Sequence, residues 1–427
     1  MKFPKLFSLF LSIIAISNLI GQGKLAEQPR VISYELVKTY SIAELEQKWK
    51  EAGIPKAIAP IKYSVDVYEV IYNTCWHDSS CVKASGLYFV PKGAKKAPMM
   101  VYHHGTQIEK ARTVDLGGEI AICMGFATDG YAVAYSDYLG LGKGEKSHLY
   151  HHVPTEASAS MDLVRAVRII NVEKKITLGK QLFASGYSQG GHATMAFQKV
   201  VEADPALHKE FPITASAPMS GAYDLTGVQE EVMFQPYSHP GYLPYLLFSY
   251  QEVYNLYPDI RTAFKAPYDS LLPPMFNGEY SMDEVNRVMP SIPKDAIRPE
   301  VIKAYQEDVN FPFKVALQEN STIDWVPKAP MMLCYCEGDE QVNYLNSVVA
   351  YKAMKELGSK HLRLKRVAKG MDHGTCALYA VLYTKMYFDS FVKGSKYGRK
   401  GPFFKRLLIG IGKSKTKKDI KKSKSGK

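Results

Sequence analysis

The sequence predicts an α/β fold, a mostly parallel central sheet with helices on both faces and a helical cap inserted between two core strands. Three observations lead there. From residue 97 to residue 391, short apolar runs of strand length alternate with longer helix-like segments, the order that a parallel sheet with crossover helices requires. Residues 222–328 interrupt that rhythm. Finally, Gly186-Tyr187-Ser188-Gln189-Gly190 joins an apolar run to a helical one through a turn of small residues. A serine at such a turn takes strained backbone angles and stands exposed above the sheet.

Taken in order, the chain opens with Lys2 and Lys5, an apolar stretch from Leu6 to Ile20 and the small-residue exit Gly21-Gln22-Gly23. Residues 1–22 therefore read as an export signal, cleaved near Gly21 to Gly23. The stretch is shorter than the ~18 apolar residues of a membrane span, a length no other run reaches. Ile42 to Glu51 reads as a helix, and Tyr63 to Tyr72 and Val82 to Val90 alternate as an antiparallel pair entering the sheet. The strands that follow are Ala97–Tyr102, Ala132–Ser136, Gln181–Ala184 and Thr214–Met219. Helices at Gly118–Thr128, Glu156–Asn171 and Gly191–Val200 lie between them.

Residues 222–328 hold twelve of the 24 prolines and ten tyrosines, a content that fits a rigid apolar roof over a pocket. The alternation then resumes with strand Met331–Tyr335, helix Asn346–Leu357, strand Leu362–Val367 and helix Cys376–Phe391. Residues 23–221 and 329–392 thus form two parts of one core, 222–328 its cap and 393–427 a tail.

The formal charge of +12 belongs to that tail. Residues 393–427 carry fourteen Lys or Arg against one Asp, leaving 40 Lys or Arg against 41 Asp or Glu in the rest. Phe403-Phe404-Lys405-Arg406-Leu407-Leu408-Ile409 suits an anionic membrane surface, and Lys413 to Lys427 reads as a disordered polybasic run; a partnerless solubilising tail fits the same composition. The nearly neutral body and the lack of a nucleic-acid-binding pattern argue against DNA or RNA as partner.

Six cysteines are too few to build a fold of this length. Cys75 and Cys81 flank a five-residue polar loop that a hairpin disulfide can close in an oxidising compartment, which the sequence leaves open. Cys334 and Cys336 point to one face of a strand, and Cys123 and Cys376 read as buried apolar residues.

Ser188 needs an imidazole to take its proton and a carboxylate to orient that imidazole. In a strand–turn–helix architecture of this kind the order is serine, acid, histidine. Asp339 follows the strand Met331–Tyr335, and His373 follows the strand Leu362–Val367, at spacings of 151 and 34 residues. Glu337 and Glu340 flank Asp339 as rival acids. The oxyanion site needs two backbone N–H groups; Gln189, directly after the nucleophile, supplies one. Thr106 supplies the other from the loop after the strand Ala97–Tyr102, with His104 and Gly105 shaping the turn and Gly105 letting the backbone approach. Asp137 and Tyr138, in Ser136 to Gly142, read as part of a pocket-lining loop on the same rim. His192 reads as a supporting or surface residue. His103, His104, His148, His151 and His152 lie outside the predicted helices and so form no helical i, i+4 ligand pair, and no carboxylate ligand is read beside them, so no metal is expected.

These motifs carry a resemblance. The chain resembles the α/β-hydrolases and, among them, is similar to exported lipases and esterases of the secretory-lipase type. The carrying residues are His103 to Thr106, Asp137 to Gly142, Gly186 to His192, Glu337 to Val342 and Asp372 to Gly374, covering about residues 60 to 392. The resemblance implies a cap between the sixth and seventh core strands, no cofactor, and hydrolysis of a small-molecule ester through an acyl-enzyme. It leaves the basic tail without a counterpart. A peptidase using Glu230 and Glu231 to hold a substrate amino terminus, and a hydrolase-like binding protein without turnover, are the alternative readings.

Overall fold

In the computed structural model, which describes residues 29–424 apart from 53, 57, 58 and 113, nine strands form one sheet in the order β1-β2-β3-β5-β4-β6-β7-β8-β9. The strands are β1 (Val31–Tyr40), β2 (Val65–Cys75), β3 (Cys81–Pro91), β4 (Ala97–His103), β5 (Ala132–Ser136), β6 (Leu178–Tyr187), β7 (Ile213–Met219), β8 (Met331–Cys336) and β9 (Leu362–Ala368). The first three pair antiparallel, and the β3–β5 pairing is antiparallel too; from β5 through β4 to β9 every pairing is parallel. The proposed signal, residues 1–22, lies outside the described residues.

The helices of the core are α1 (Ile42–Glu51), α2 (Gly118–Ala127), α3 (Val153–Lys174), α4 (Gln189–Ala203) and the short α5 (Pro205–Glu210). Between β7 and β8 come α6 (Tyr242–Tyr254), α7 (Tyr268–Leu271), α8 (Met282–Val288), α9 (Pro299–Glu307) and α10 (Pro312–Glu319), together with four 3₁₀ turns. The chain closes with α11 (Leu345–Glu356), α12 (His373–Val392) and α13 (Phe403–Lys424). Among the described residues no helix is long and apolar enough to cross a membrane.

Alternation along the central strands builds the core on both faces. Met100 and Tyr102 of β4 and Phe183 of β6 join one apolar cluster, while Met99, Val101, Leu182 and Ala184 join the other, as the period-2 geometry of a strand requires. All of β4 is buried, the pattern of a parallel strand covered on both faces. Phe388 of α12 stacks on Phe183 with ring centroids 4.5 Å apart. The segment between β7 and β8 has an apolar cluster of its own, including Leu243, Tyr250, Phe264 and Phe313.

Three features depart from the sequence reading. Strand β1 is an edge strand with most side chains half-exposed or exposed, Leu36 and Val37 among them, so it shows no apolar face for periodicity to detect. Residues 403–424, read as a tail with a disordered polybasic end, form α13. It is docked on α12 by buried Ile409 and a 2.7 Å hydrogen bond between Tyr379 and Thr416. Cys376, read as a buried apolar residue, is disulfide-bonded to Cys336. Cys75 and Cys81 face each other in the β2–β3 register as free thiols. Directly opposed strand residues hold their Cβ atoms about 4.5–5.5 Å apart, wider than the ~3.8 Å typical of a disulfide.

Candidate active site

The parallel register explains why distant sequence segments meet. His103 of β4 lies beside Gly186 of β6, and Cys336 of β8 beside Ala368 of β9. The loops leaving the carboxyl ends of β4, β6, β8 and β9 therefore emerge on one rim of the sheet, where ligand sites of open α/β sheets form.

Ser188 sits between β6 and α4 with φ 60° and ψ −123°, a strained conformation for a residue with a side chain. Packing enforces it. A Cβ on Gly190 would come within 1.9 Å of the His103 carbonyl oxygen, and one on Gly186 within 2.4 Å of the carbonyls of His103 and Gly190. The Ser188 N–H donates to the Met219 carbonyl of β7 at 3.0 Å. Only glycines two positions either side of the serine let β4 and α4 close on this turn.

At the neighbouring loops His373 is the first residue of α12, and its Nδ1 lies 2.8 Å from each carboxylate oxygen of Asp339. A carboxylate accepts only, so Nδ1 carries the proton of this contact and Nε2 is the ring nitrogen left to act as base. Asp339 also accepts the amides of Gln341 and Val342 at 3.1 and 2.9 Å. The flanking acids are used otherwise. Glu340 accepts the His373 backbone N–H at 2.9 Å, and Glu337 pairs with exposed Arg366 at 2.7 Å. Tyr187, next to Ser188, donates its hydroxyl to the His373 carbonyl at 2.6 Å, which ties the elbow to α12.

The loop after β4 also reaches Ser188. A Cβ placed on Gly105 would meet Ser188 Cβ at 3.5 Å, an ordinary contact, so space does not demand this glycine as the sequence reading expected. Its amide donates instead to Glu119 of α2 at 2.7 Å, and Tyr102 donates to the other oxygen of the same carboxylate at 2.8 Å. Burial raises the Glu119 carboxyl from its ordinary range to about 7. Sequence reasoning missed Glu119, because an acid in the first turn of a helix is commonplace. Thr106 Oγ1 lies 2.9 Å from the Tyr150 hydroxyl. Gln189 is the first residue of α4, where a backbone N–H has no intrahelical acceptor and points out of the helix end.

The Gln189 side chain anchors a buried network. Its Nε2 lies 2.8 Å from His148 Nε2 and donates to Glu156 at 3.1 Å. Burial lowers His148 to about 3 and keeps it neutral, so its Nδ1–H donates to the Leu139 carbonyl at 3.0 Å. Glu156 also holds His192 Nδ1 at 2.7 Å, and His192 Nε2 meets the Asn320 carbonyl at 2.8 Å. His192 is therefore a buried supporting residue, the first of its two sequence readings, and not a surface one. His151, Glu156 and His192 bring ligand-type atoms within 4.8 Å of one another, contrary to the sequence reading. Glu156 and Asn320 already engage both His192 nitrogens, so His192 works as a hydrogen-bonded brace between α3, α4 and the end of α10, while the His151 ring packs edge-on against it with centroids 4.5 Å apart.

Asp137 and Tyr138 support the rim from behind rather than lining a pocket. Asp137 accepts from Arg112 Nε at 2.7 Å and from Ser85 at 2.6 Å, while Tyr138 donates to the His104 carbonyl at 2.9 Å. His104 in turn places Nδ1 2.6 Å from the Gly105 carbonyl.

Above Ser188 and Gln189 lies a cavity partly open to solvent, walled by Tyr150 and His151 and, from the β7–β8 insertion, by Leu225, Met233, Tyr237, Tyr242, Leu243 and Phe313. The insertion also fastens the acid loop: Tyr237 donates to the Gln341 carbonyl at 2.6 Å and Ser238 to the Glu340 carbonyl at 3.0 Å. Glu230 lines the cavity and accepts the Tyr305 hydroxyl, whereas Glu231 is exposed. The two acids do not converge as a pair for a substrate amino terminus.

The family model for secretory lipases matches residues 104–379. No curated protein matches the chain. Among solved structures, the rice cell wall degrading esterase LipA of Xanthomonas oryzae is similar at 28% identity and TM-score 0.75, covering 84% of this chain and 98% of that one. A hydrolase of Legionella pneumophila is similar at 25% identity and TM-score 0.78, covering 86% and 99%. Candida antarctica lipase A shares the fold at 14% identity and TM-score 0.61, covering 89% and 84%. The α/β-hydrolase architecture of these relatives is that of the nine-stranded sheet described above.

Proposed function

The chain belongs to the secretory lipase family, and from that premise we propose that it is an exported serine hydrolase cleaving carboxylic esters through an acyl-enzyme on Ser188. The observation that carries this reading is the 2.8 Å contact of His373 with Asp339 on loops that share a rim with the strained Ser188 turn. Ser188 Oγ attacks the ester carbonyl while His373 Nε2 takes its proton and Asp339 holds the imidazolium. The amides of Gln189 and Thr106 receive the negative charge on the carbonyl oxygen. His373 returns the proton to the departing alcohol, then activates water to release the acid and free Ser188. The aromatic and aliphatic cavity wall favours apolar or aromatic acyl groups.

Export is supported by the signal-like residues 1–22 and by the Cys336–Cys376 disulfide, which suits an oxidising compartment at the periplasm, the cell surface or beyond. Exposed Glu231 leaves the peptidase alternative without its carboxylate pair.

Ser188→Ala tests the mechanism. It should lower kcat on short nitrophenyl esters by roughly 10⁵ to 10⁶ and abolish labelling by a fluorophosphonate. Full activity in that variant would remove Ser188 from the mechanism, and faster turnover of aminoacyl amides than of acyl esters would favour the peptidase.

A further inference from the structure

We propose that α13 is a docking element for the surface of an anionic lipid bilayer. The argument begins with how the helix is held. Its inner face carries Ile409, only 2% exposed, Lys413, which donates to the Val367 carbonyl at 2.8 Å, and Thr416, bonded to Tyr379. These contacts fix the rotation of the helix about its axis. The residues opposite Ile409 therefore face solvent, and helical spacing puts Phe404, Leu407, Ile411, Lys415 and Lys418 on one ridge.

That ridge has two chemistries. Phe404 and Ile411 are 63% and 59% exposed, with Phe403 and Leu407 beside them at 73% and 47%. Four large apolar side chains within nine residues make a patch of the kind that marks an interaction surface. Lys415, Lys417 and Lys418 follow, also exposed. Apolar side chains that enter the headgroup boundary, next to lysines drawn to anionic lipid, are the two signals that stable peripheral binding requires. Residues 393–427 carry fourteen Lys or Arg against one Asp while the rest of the chain is nearly neutral, so charge complementarity points to lipid phosphate. The helix lies beyond residues 104–379, which the family model matches.

The direction of α13 gives the docking a consequence. Gly401, just before the helix, packs on Met386, and Thr416 reaches Tyr379, so α13 runs antiparallel to α12. Tyr379 stands six residues, about 9 Å, past His373, and α13 continues eight residues, about 12 Å, past Thr416. The lysine-rich end of α13 thus finishes level with the His373 end of α12, and lipid bound there lies on the same end of the molecule as the candidate site.

Co-sedimentation with vesicles tests this using the intact protein. Binding should be at least about tenfold stronger to phosphatidylcholine vesicles containing phosphatidylglycerol than to phosphatidylcholine alone, and should collapse as salt rises from about 0.1 M to about 1 M. Lys415→Glu with Lys418→Glu should abolish that preference, and Phe404→Ser with Ile411→Ser should lower binding at both salt levels. Both variants should keep wild-type hydrolysis of a soluble ester, which shows that they fold. Equal binding to the two vesicle types, binding unchanged in both variants, or tighter binding to duplex DNA than to anionic vesicles would overturn the proposal. Because soluble-ester activity is read separately, loss of vesicle binding and failure of the Ser188 mechanism are distinguishable.

Discussion

The Gly105 amide donates to the Glu119 carboxylate at 2.7 Å, so a single acid on α2 holds the backbone of the loop that faces Ser188. Burial raises that carboxyl to about 7, and the folded state therefore binds its proton more tightly than the unfolded chain does. The stability tied to that proton is fully present below about pH 4.5 and is lost as pH rises through about 7. Glu119→Gln removes this component, so denaturation of parent and variant across that window should show the parent losing stability relative to the variant with rising pH. Parallel stability curves would show that Glu119 does not titrate in this way. Glu119→Leu, which leaves the Gly105 amide without its acceptor, should lower kcat by about tenfold or more with a smaller change in KM.

Asp339 and Glu340 are neighbours with separate tasks, one on the imidazole and one on the backbone of His373. Asp339→Asn can present a donor to Nδ1 and so favour the wrong tautomer; kcat should fall by about 10⁴. Glu340→Gln keeps an acceptor for the His373 amide and should cost less than about tenfold. If the two variants lost activity equally, the division of roles between these acids would be wrong.

Most of the fold was legible because its strands and helices bury apolar residues with clear periodicity. The boundaries of α1 and β5 were read to the residue, and the Ser–Asp–His order followed from loops at strand ends. Strand β1 was not legible, since an exposed edge strand leaves no apolar stripe. The docking of α13 depends on one buried isoleucine and a few side-chain hydrogen bonds within a lysine-rich stretch, so composition alone suggested disorder. Glu119, Glu156 and the Cys336–Cys376 pairing depend on contacts between residues distant in the chain, for which a single sequence carries no local signal.

Gly190 tests the elbow by crowding it. The His103 carbonyl lies 1.9 Å from where a Cβ would stand, and backbone on both sides leaves little room for relaxation. Gly190→Ala should displace α4 from β4, costing about 1–3 kcal/mol in stability and most of the hydrolytic activity, because the Gln189 amide moves with the turn. A crystal structure and assay showing an undisturbed elbow at full activity would contradict this account of the Ser188 strain.

The disulfide brackets the same machinery. Cys336 precedes Asp339 by three residues and Cys376 follows His373 by three, so the bond staples the acid loop to the helix that carries the base. It closes a sequence separation of 40 residues, for which chain entropy gives roughly 4 kcal/mol. Replacing both cysteines by serine should lower the urea midpoint accordingly. Below the new melting temperature it should also reduce kcat more than KM, since the Asp339–His373 contact loses its covalent support while the cavity wall keeps its own core. If the double variant lost stability yet kept kcat, the staple would serve the fold and not the positioning of His373.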